Sequence, residues 1–573
     1  MKIFQATSLT PGFSLQPGLI DQLNYAQDLT TVERAKVLFK KKDQIEAQRQ
    51  PLEDDWIDYY KIWACEKNGA QSQPHQGMHE VYLPDTYILT ETEVDHLKSR
   101  IFPFNNNIAV RPWLSDPVSP MMVFPVLELL QYDINQADVK SNIDVTLRSS
   151  ILYGWAPVKV AWEVQTITDY ARALVQDPFS QQGSQVGFGS REVVKFEGPT
   201  FHPVHPFNLY VYPFTQTDPK KLTWVHENMT VGWDFLLSMQ SEGTYVGIEA
   251  LLEQRGKSST SKSDQNRDRL LERLGITDGQ VDDPDAFKIT EIYTKWDLYG
   301  TGQLVPTKIT YSGDVILEIR QCPYNDQDPP YVYHRDAKVS ETFYGRSRVK
   351  AVKPLQYTNN AVINQGLDSN AFASANMIVV DVTRLRGRVE DIEISPMMVF
   401  QMTGDASEKA IRFEAPPNTI QQNVILSQQI STAMRDSFRI PSGMQGKTEG
   451  TTATEVATTT QAGIVGVDAV ATNFENDLMS KWLAMAYKRE QQFRGIDSPP
   501  RLGMPIVPAE ALVPEYSFQF LAGQAAQQYM QQVQEAMMQA EAGMEGASQG
   551  GDHPNGTPKN NTPNPDNQKD GAE

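Results

Sequence analysis

Along residues 343–380, apolar side chains recur at Val349, Val352, Leu355, Val362, Ile363 and Leu367, close to a helical period. They predict a helix that starts near Gly345 and gives way to an apolar strand ending at Val380. The rest of its surface carries Gln356, Asn359, Asn360, Asn364, Gln365 and Asn370. A core helix would not keep so many amides, and a free surface helix would use Lys and Glu, which form helices better. A helix packed against copies of itself around a wet channel could use amides on both sides. Gly366, Ser369, Ala371, Ala373, Ser374 and Ala375 would let neighbouring helices approach closely. Pro354 should kink this helix unless the helix begins there.

The other patterns predict an α+β chain. Pro and Gly at positions 11, 12, 17 and 18 make residues 1–30 an extended arm. A helix from Thr31 is interrupted at Pro51 and resumes with Trp56, Tyr59, Tyr60 and Trp63 at helical spacing, an aromatic core stripe. Helices are expected near 85–102 and 121–148, and alternating strands within 151–212. The stretch 224–243 reads as helix. Residues 257–285 are polar, with a short amphipathic helix at Asp264–Leu274. A β meander follows, turning at Gly300/Gly302 and at Ser312–Asp314. Helices are expected at 419–440 and from a Gly/Thr loop to Phe493, then a strand and a Gln/Ala/Met helix. The tail from Ser548 has the composition of a disordered segment.

With 573 residues, several domains are expected. Lys and Arg number 51 against 71 Asp and Glu, a net charge of −20. That is the wrong balance for a sequence-reading DNA binder, yet acidic walls would suit a surface that DNA slides past. Cys65 and Cys322 are too few for a disulfide framework. No run of 18 apolar residues exists, so no membrane span is expected, and the N-terminus lacks the apolar core of a leader peptide.

Few motifs in the chain carry chemistry. Pro441–Thr448 approximates a phosphate-binding loop, but Pro441 stands where the first Gly belongs and a helix, not a strand, precedes it. His202 and His205 lack further metal ligands and read as structural. Asp282, Asp283 and Asp285 lack calcium-loop spacing. No catalytic residue, cofactor or metal is therefore expected. Basic residues gather at Arg346, Arg348, Lys350 and Lys353, which a ring would multiply into belts of charge. Arg439 and Lys447 flank the Gly/Thr loop.

Three features in order resemble the portal proteins, the head-to-tail connectors of tailed bacteriophages, particularly short-tailed ones. The first is Cys322-Pro-Tyr324 followed by Phe343-Tyr-Gly-Arg-Ser347 and the amide helix with Leu355-Gln356 and Asn359-Asn360. The second is Gly450-Thr-Thr-Ala-Thr-Glu-Val456 opening a long helix. The third is the Gln/Ala-rich C-terminal helix with its tail.

The resemblance implies a portal fold that forms a ring, dodecameric in the virion, at one capsid vertex. Its parts are a helical wing with β elements, a helical stem, a β-rich clip and a helical crown. It implies an arm at 1–30, a wing at 31–262 and 376–510, a first stem helix and linker at 263–285, and a clip at 286–342. A second stem helix at 343–375, a tunnel loop near 440–452, a crown at 511–547 and a disordered tail at 548–573 complete the assignment. Double-stranded DNA would pass non-specifically through the channel, past Arg346, Arg348, Lys350, Lys353, Arg439 and Lys447. Gln356, Asn359, Asn360, Asn364 and Gln365 would join neighbouring stem helices. Tyr299, Tyr311, Tyr331 and Tyr333 would offer the clip to partners. Those partners would be the terminase large subunit, tail or adaptor proteins, and the major capsid and scaffolding proteins, with no membrane involved. The alternatives are another head–tail ring protein of a virion, or a nucleotide hydrolase using Lys447.

Overall fold

The computed structural model describes residues 23–66, 78–102, 108–112, 119–175, 185–253, 286–375, 377–383, 403, 411–414, 417–438, 468–494, 507–512, 516–521, 528–529, 531–532 and 535. The Asp264–Leu274 helix, Arg439, Lys447, the Gly/Thr loop and the tail all lie outside these residues.

The chain opens with α1 (Leu29–Ala35), capped by the Asp28 carboxylate, and α2 (Val37–Trp63). α2 runs through Pro51, which sits on its exposed side, so the expected interruption does not occur. Next come α3 (Asp85–Ile101), β1 (Ile108–Pro112), α4 (Ser119–Gln136) and α5 (Val139–Tyr153). Gly154, at φ +83°, ends α5 and sends the chain into β2 (Trp155–Lys159). β3 (Trp162–Val175) and β4 (Gln185–Pro199) form a long antiparallel hairpin, followed by β5 (His202–Pro203) and β6 (Leu209–Tyr212).

The stretch 224–243, expected as one helix, splits into β7 (Trp224–Gly232) and α6 (Trp233–Ser241). The reason is tertiary: β7 fills the gap between β6 and β8 (Ala286–Trp296) and is hydrogen-bonded on both edges. After α7 (Glu249–Glu253) and β8 come β9 (Val305–Ser312), β10 (Val315–Gln321), β11 (Tyr331–Arg335), β12 (Ala337–Val339) and β13 (Thr342–Arg346). The meander therefore does not stand apart. β10-β9-β8-β7-β6 is one antiparallel sheet, and β11 pairs with β2 and β2 with β5.

α8 (Arg348–Ala375) follows, then β14 (Met377–Val380) paired with β15 (Ile411–Glu414), and α9 (Ile420–Phe438). α8 is one helix across Pro354, which is exposed and near its start. A π-helical turn at Glu475–Met479 leads into α10 (Ser480–Phe493), and β16 (Tyr516–Phe520) pairs with β1.

One core joins α3, α4 and α5 to α10 and the β1–β16 pair, through Leu97, Leu130, Ile143, Trp482 and Phe520. A second lies under α2, where Trp56 packs on Trp155, Phe207 and Tyr344. Between the two sheets the interior is charged. The Lys159 ammonium donates to Glu227 at 2.7 Å and Glu291 at 2.5 Å, and Lys308 reaches Glu291 at 2.9 Å and Glu318 at 3.1 Å. Tyr331 and Tyr293 donate to the same Glu227 and Glu291. Full pairing is what lets these charges stay buried.

Candidate functional site

The site is built on α8, because this helix carries the sequence's most unusual face. Its start is fixed by the segment Phe343–Ser347. Phe343 and Tyr344 are buried in the aromatic core, and Gly345 lies against Gly154. The Ser347 hydroxyl accepts from the Val349 amide at 3.1 Å and donates to the Ile151 carbonyl at 3.1 Å, which caps α8 and ties it to α5. The Arg348 guanidinium donates to both oxygens of Asp336 at 2.8 and 2.7 Å and to Glu93 at 2.6 Å. Burial lifts the Glu93 carboxyl above its ordinary range, even with Arg348 beside it.

The amides have a use inside the subunit. Gln356, Asn360, Asn364 and Asp368 are spaced by four and so share one helix face. That face holds the chain segment 79–86 by its backbone. Gln356 Oε1 accepts from the Thr86 amide at 3.1 Å and its Nε2 donates to the Leu83 carbonyl at 2.8 Å. Asn360 Oδ1 accepts from the Leu83 amide at 3.0 Å. Asn364 makes a two-way pair with Val81, at 2.7 and 3.0 Å. The Asp368 carboxylate takes the His79 amide at 2.7 Å. The four side chains serve the segment as a neighbouring strand would. Asn359 turns the other way, donating to Asp85 at 2.6 Å and to Ser431 on α9 at 3.2 Å.

The inter-subunit role expected for the amides is thus corrected for Gln356, Asn359, Asn360 and Asn364. The first three are buried and all four are engaged within the chain, because a bare extended segment needs partners for its backbone groups. Gln365 is exposed. Among the basic residues, Arg348 is committed to Asp336 and Glu93, so it cannot face a channel. Lys350 and Lys353 reach Asp55 at 3.2 Å and Asp58 at 3.0 Å on α2. Arg346 is exposed. Of the tyrosines, Tyr311 is buried and stacked on Phe39 at 4.1 Å, and Tyr331 and Tyr333 are buried, so none of these three rings forms an outer surface. Tyr299 is 42% exposed at the β8–β9 turn, edge-on to Tyr25.

α8 and α9 are antiparallel and close. Ser369 bonds the Pro417 carbonyl and the Thr419 amide at 3.0 Å each, Asn418 donates to Asn370, and a Cβ on Gly366 would meet Asn423 Cβ at 3.1 Å. The pair brackets β14 and β15. Among the described residues, Phe372, Val379, Val382, Val424, Ile425 and Leu426 on and beside this pair are exposed apolar side chains. Sequence reading missed this hairpin, although the break before Asn418 and the amphipathic period beyond it were visible.

Among the described residues no group of His, Cys, Asp and Glu could hold a metal ion, and no helix is long and apolar enough to cross a membrane. Cys65 and Cys322 are unpaired, and burial pushes the Cys322 thiol up to about 12.

A family model described as phage SU10 portal protein matches residues 163–560, more than half of the chain. No curated protein matches it.

Proposed function

Because the chain belongs to the phage SU10 portal protein family, and is thus a structural component of the phage capsid, we propose that it forms the ring through which double-stranded DNA enters and leaves. In this reading α8 and α9 are the two stem helices, and residues 376–419 between them form the clip. The observation that carries it is the antiparallel α8–α9 pair, bracketing a short strand pair and exposing Phe372, Ile425 and Leu426. An apolar surface of this kind on a single subunit calls for a neighbour, and repetition of one head-to-tail contact closes a ring. This reading moves the clip from 286–342, whose strands β8–β11 pair with β7 and β2 in the subunit.

The loop that follows α9 would then face the bore, bringing Arg439 and Lys447 to backbone phosphates without reading bases. Arg346 and Lys350 are the exposed cations of the original cluster, Lys350 beside Asp55. The acidic balance of the chain, −20, keeps a passing duplex from sticking, while local cations offset the repulsion. The terminase large subunit and later the tail or adaptor proteins would dock on the clip, and capsid and scaffolding proteins on the body. A dodecamer is the proposed stoichiometry.

Electron microscopy of the purified full-length protein tests this. Rings with a central hole are expected, and Ile425→Asp with Leu426→Asp should leave subunits that fold but do not close. Rings that form unchanged in the double variant would remove α9 from the interface, and a protein that never forms rings would sink the stem assignment.

A further inference from the structure

One end of the sheet, the loop 323–330 and α10 border a cavity of about 370 Å³ that no residue of α8 or α9 lines. Its volume is in the range of a binding pocket, roughly 300–1,000 Å³. The wall is apolar, with Leu222 and Val225 on one side, Val332 behind, and Ala484 and Met485 from α10. Four ammonium groups stand around it, on Lys220, Lys295, Lys481 and Lys488. All four residues are exposed, and Lys220, Lys295 and Lys488 make no ion pair among the described residues. Lys481 lies 3.7 Å from Asp477.

The carboxylates at the same mouth offset this only in part. Asp326 is taken by the buried Arg489 at 3.2 Å. Asp218 accepts the Lys220 amide at 3.0 Å, as a turn cap. Asp328 is exposed at the mouth and within electrostatic reach of Lys488 and Lys220, so it offsets part of their charge. A chain with a net charge of −20 therefore carries a positive collar here, around an apolar hole. Lys481 and Lys488 are two helical turns apart on the face of α10 whose Ala484 and Met485 line the cavity. The other two lysines come from the turn before β7 and from β8. One small anion could meet only part of so wide a collar, whereas successive carboxylates on an extended peptide could meet all of it.

We propose that this cavity docks an acidic segment of another protein, which inserts one aromatic side chain between Leu222, Val332 and Met485 and lays its carboxylates on the four lysines. The buried ring supplies the affinity and the collar the steering and register. The site goes beyond the portal reading, since ring closure does not require it.

The test uses the full-length protein and a fluorescein-labelled peptide Asp-Glu-Asp-Phe-Glu-Asp-Glu, read by anisotropy, with a version carrying benzoylphenylalanine for Phe. Saturable binding is expected, at least tenfold weaker for the Ser-for-Phe peptide, for Ala484→Phe, which fills the cavity, and for Lys481→Glu with Lys488→Glu. Irradiation should cross-link the peptide to Leu222 or Met485. That map on the unsubstituted protein decides the matter should Ala484→Phe fail to fold. Absence of binding, equal binding of the Ser peptide, or cross-links elsewhere would overturn the proposal. So would phenylacetate binding as tightly as the peptide, which would make this a small-molecule pocket.

Discussion

Gly345 and Gly154 lie backbone to backbone, so close that a Cβ on either would fall inside the main chain of the other. The Gly154 carbonyl also accepts the Asp336 amide at 3.0 Å, and Asp336 is the residue that receives Arg348. This contact locks the end of α5 to the start of α8.

Gly345→Ala should cost about 3 kcal/mol or more, since the obstruction is backbone and no side chain can move aside. Gly154→Ala adds the cost of a left-handed conformation, about 1–2 kcal/mol. Denaturant midpoints of the full-length variants measure both. A loss under about 1 kcal/mol would mean that the junction relaxes freely.

Asn364→Ala removes two hydrogen bonds to the Val81 backbone. A loss of about 1–2 kcal/mol is expected, felt locally. Hydrogen exchange should show the Val81 amide opening sooner while those of β8 and β9 stay protected. Unchanged exchange at Val81 would refute the strand-like role of the amides.

Lys159→Met leaves Glu227 and Glu291, register partners on β7 and β8, facing each other without their shared cation. Removing one member of a buried pair typically costs about 3–5 kcal/mol. Burial opposes ionisation of Glu291, but Lys159 and Lys308 outweigh it and hold its pKa well below the ordinary range. A depressed folded-state pKa stabilises above the unfolded value, so stability should fall as acid is added below about pH 4.5. The acid limb should be shallower in Lys159→Met.

Glu475 gives the opposite sign. Burial lifts its carboxyl to about 7, with Arg100 pulling it down and Asp468 pushing it up. Arg100 is already paired with Asp468 at 2.6 Å. A raised folded-state pKa stabilises below the unfolded value of 4.5 and is lost as pH rises toward 7. Melting temperature should therefore decline across that window, and Glu475→Gln should flatten the decline. An equal slope in the variant would show that Glu475 ionises without cost.

Gly366→Leu should separate α8 from α9 where Asn423 passes, costing about 1–3 kcal/mol. If the pair is the stem, ring yield in electron micrographs should fall with it. Rings formed at full yield would place the subunit contact elsewhere.

The sequence by itself determined the α+β class, the aromatic stripe of α2, the meander turns and the extent of α8. Each of these follows from local periodicity or turn chemistry. It also supplied a family resemblance through short motifs whose physical basis is now visible: Gly345 for backbone contact, Ser347 as a cap, Arg348 as a buried cation. Only the tertiary structure decided which way the amides point and that β7 is a strand. It also decided that the meander belongs to a larger sheet and that α9 returns along α8. Those outcomes depend on partners distant in the chain, such as Val81 for Asn364 or Tyr293 for Val225. Periodicity states that a residue has a face, and only packing states what that face meets.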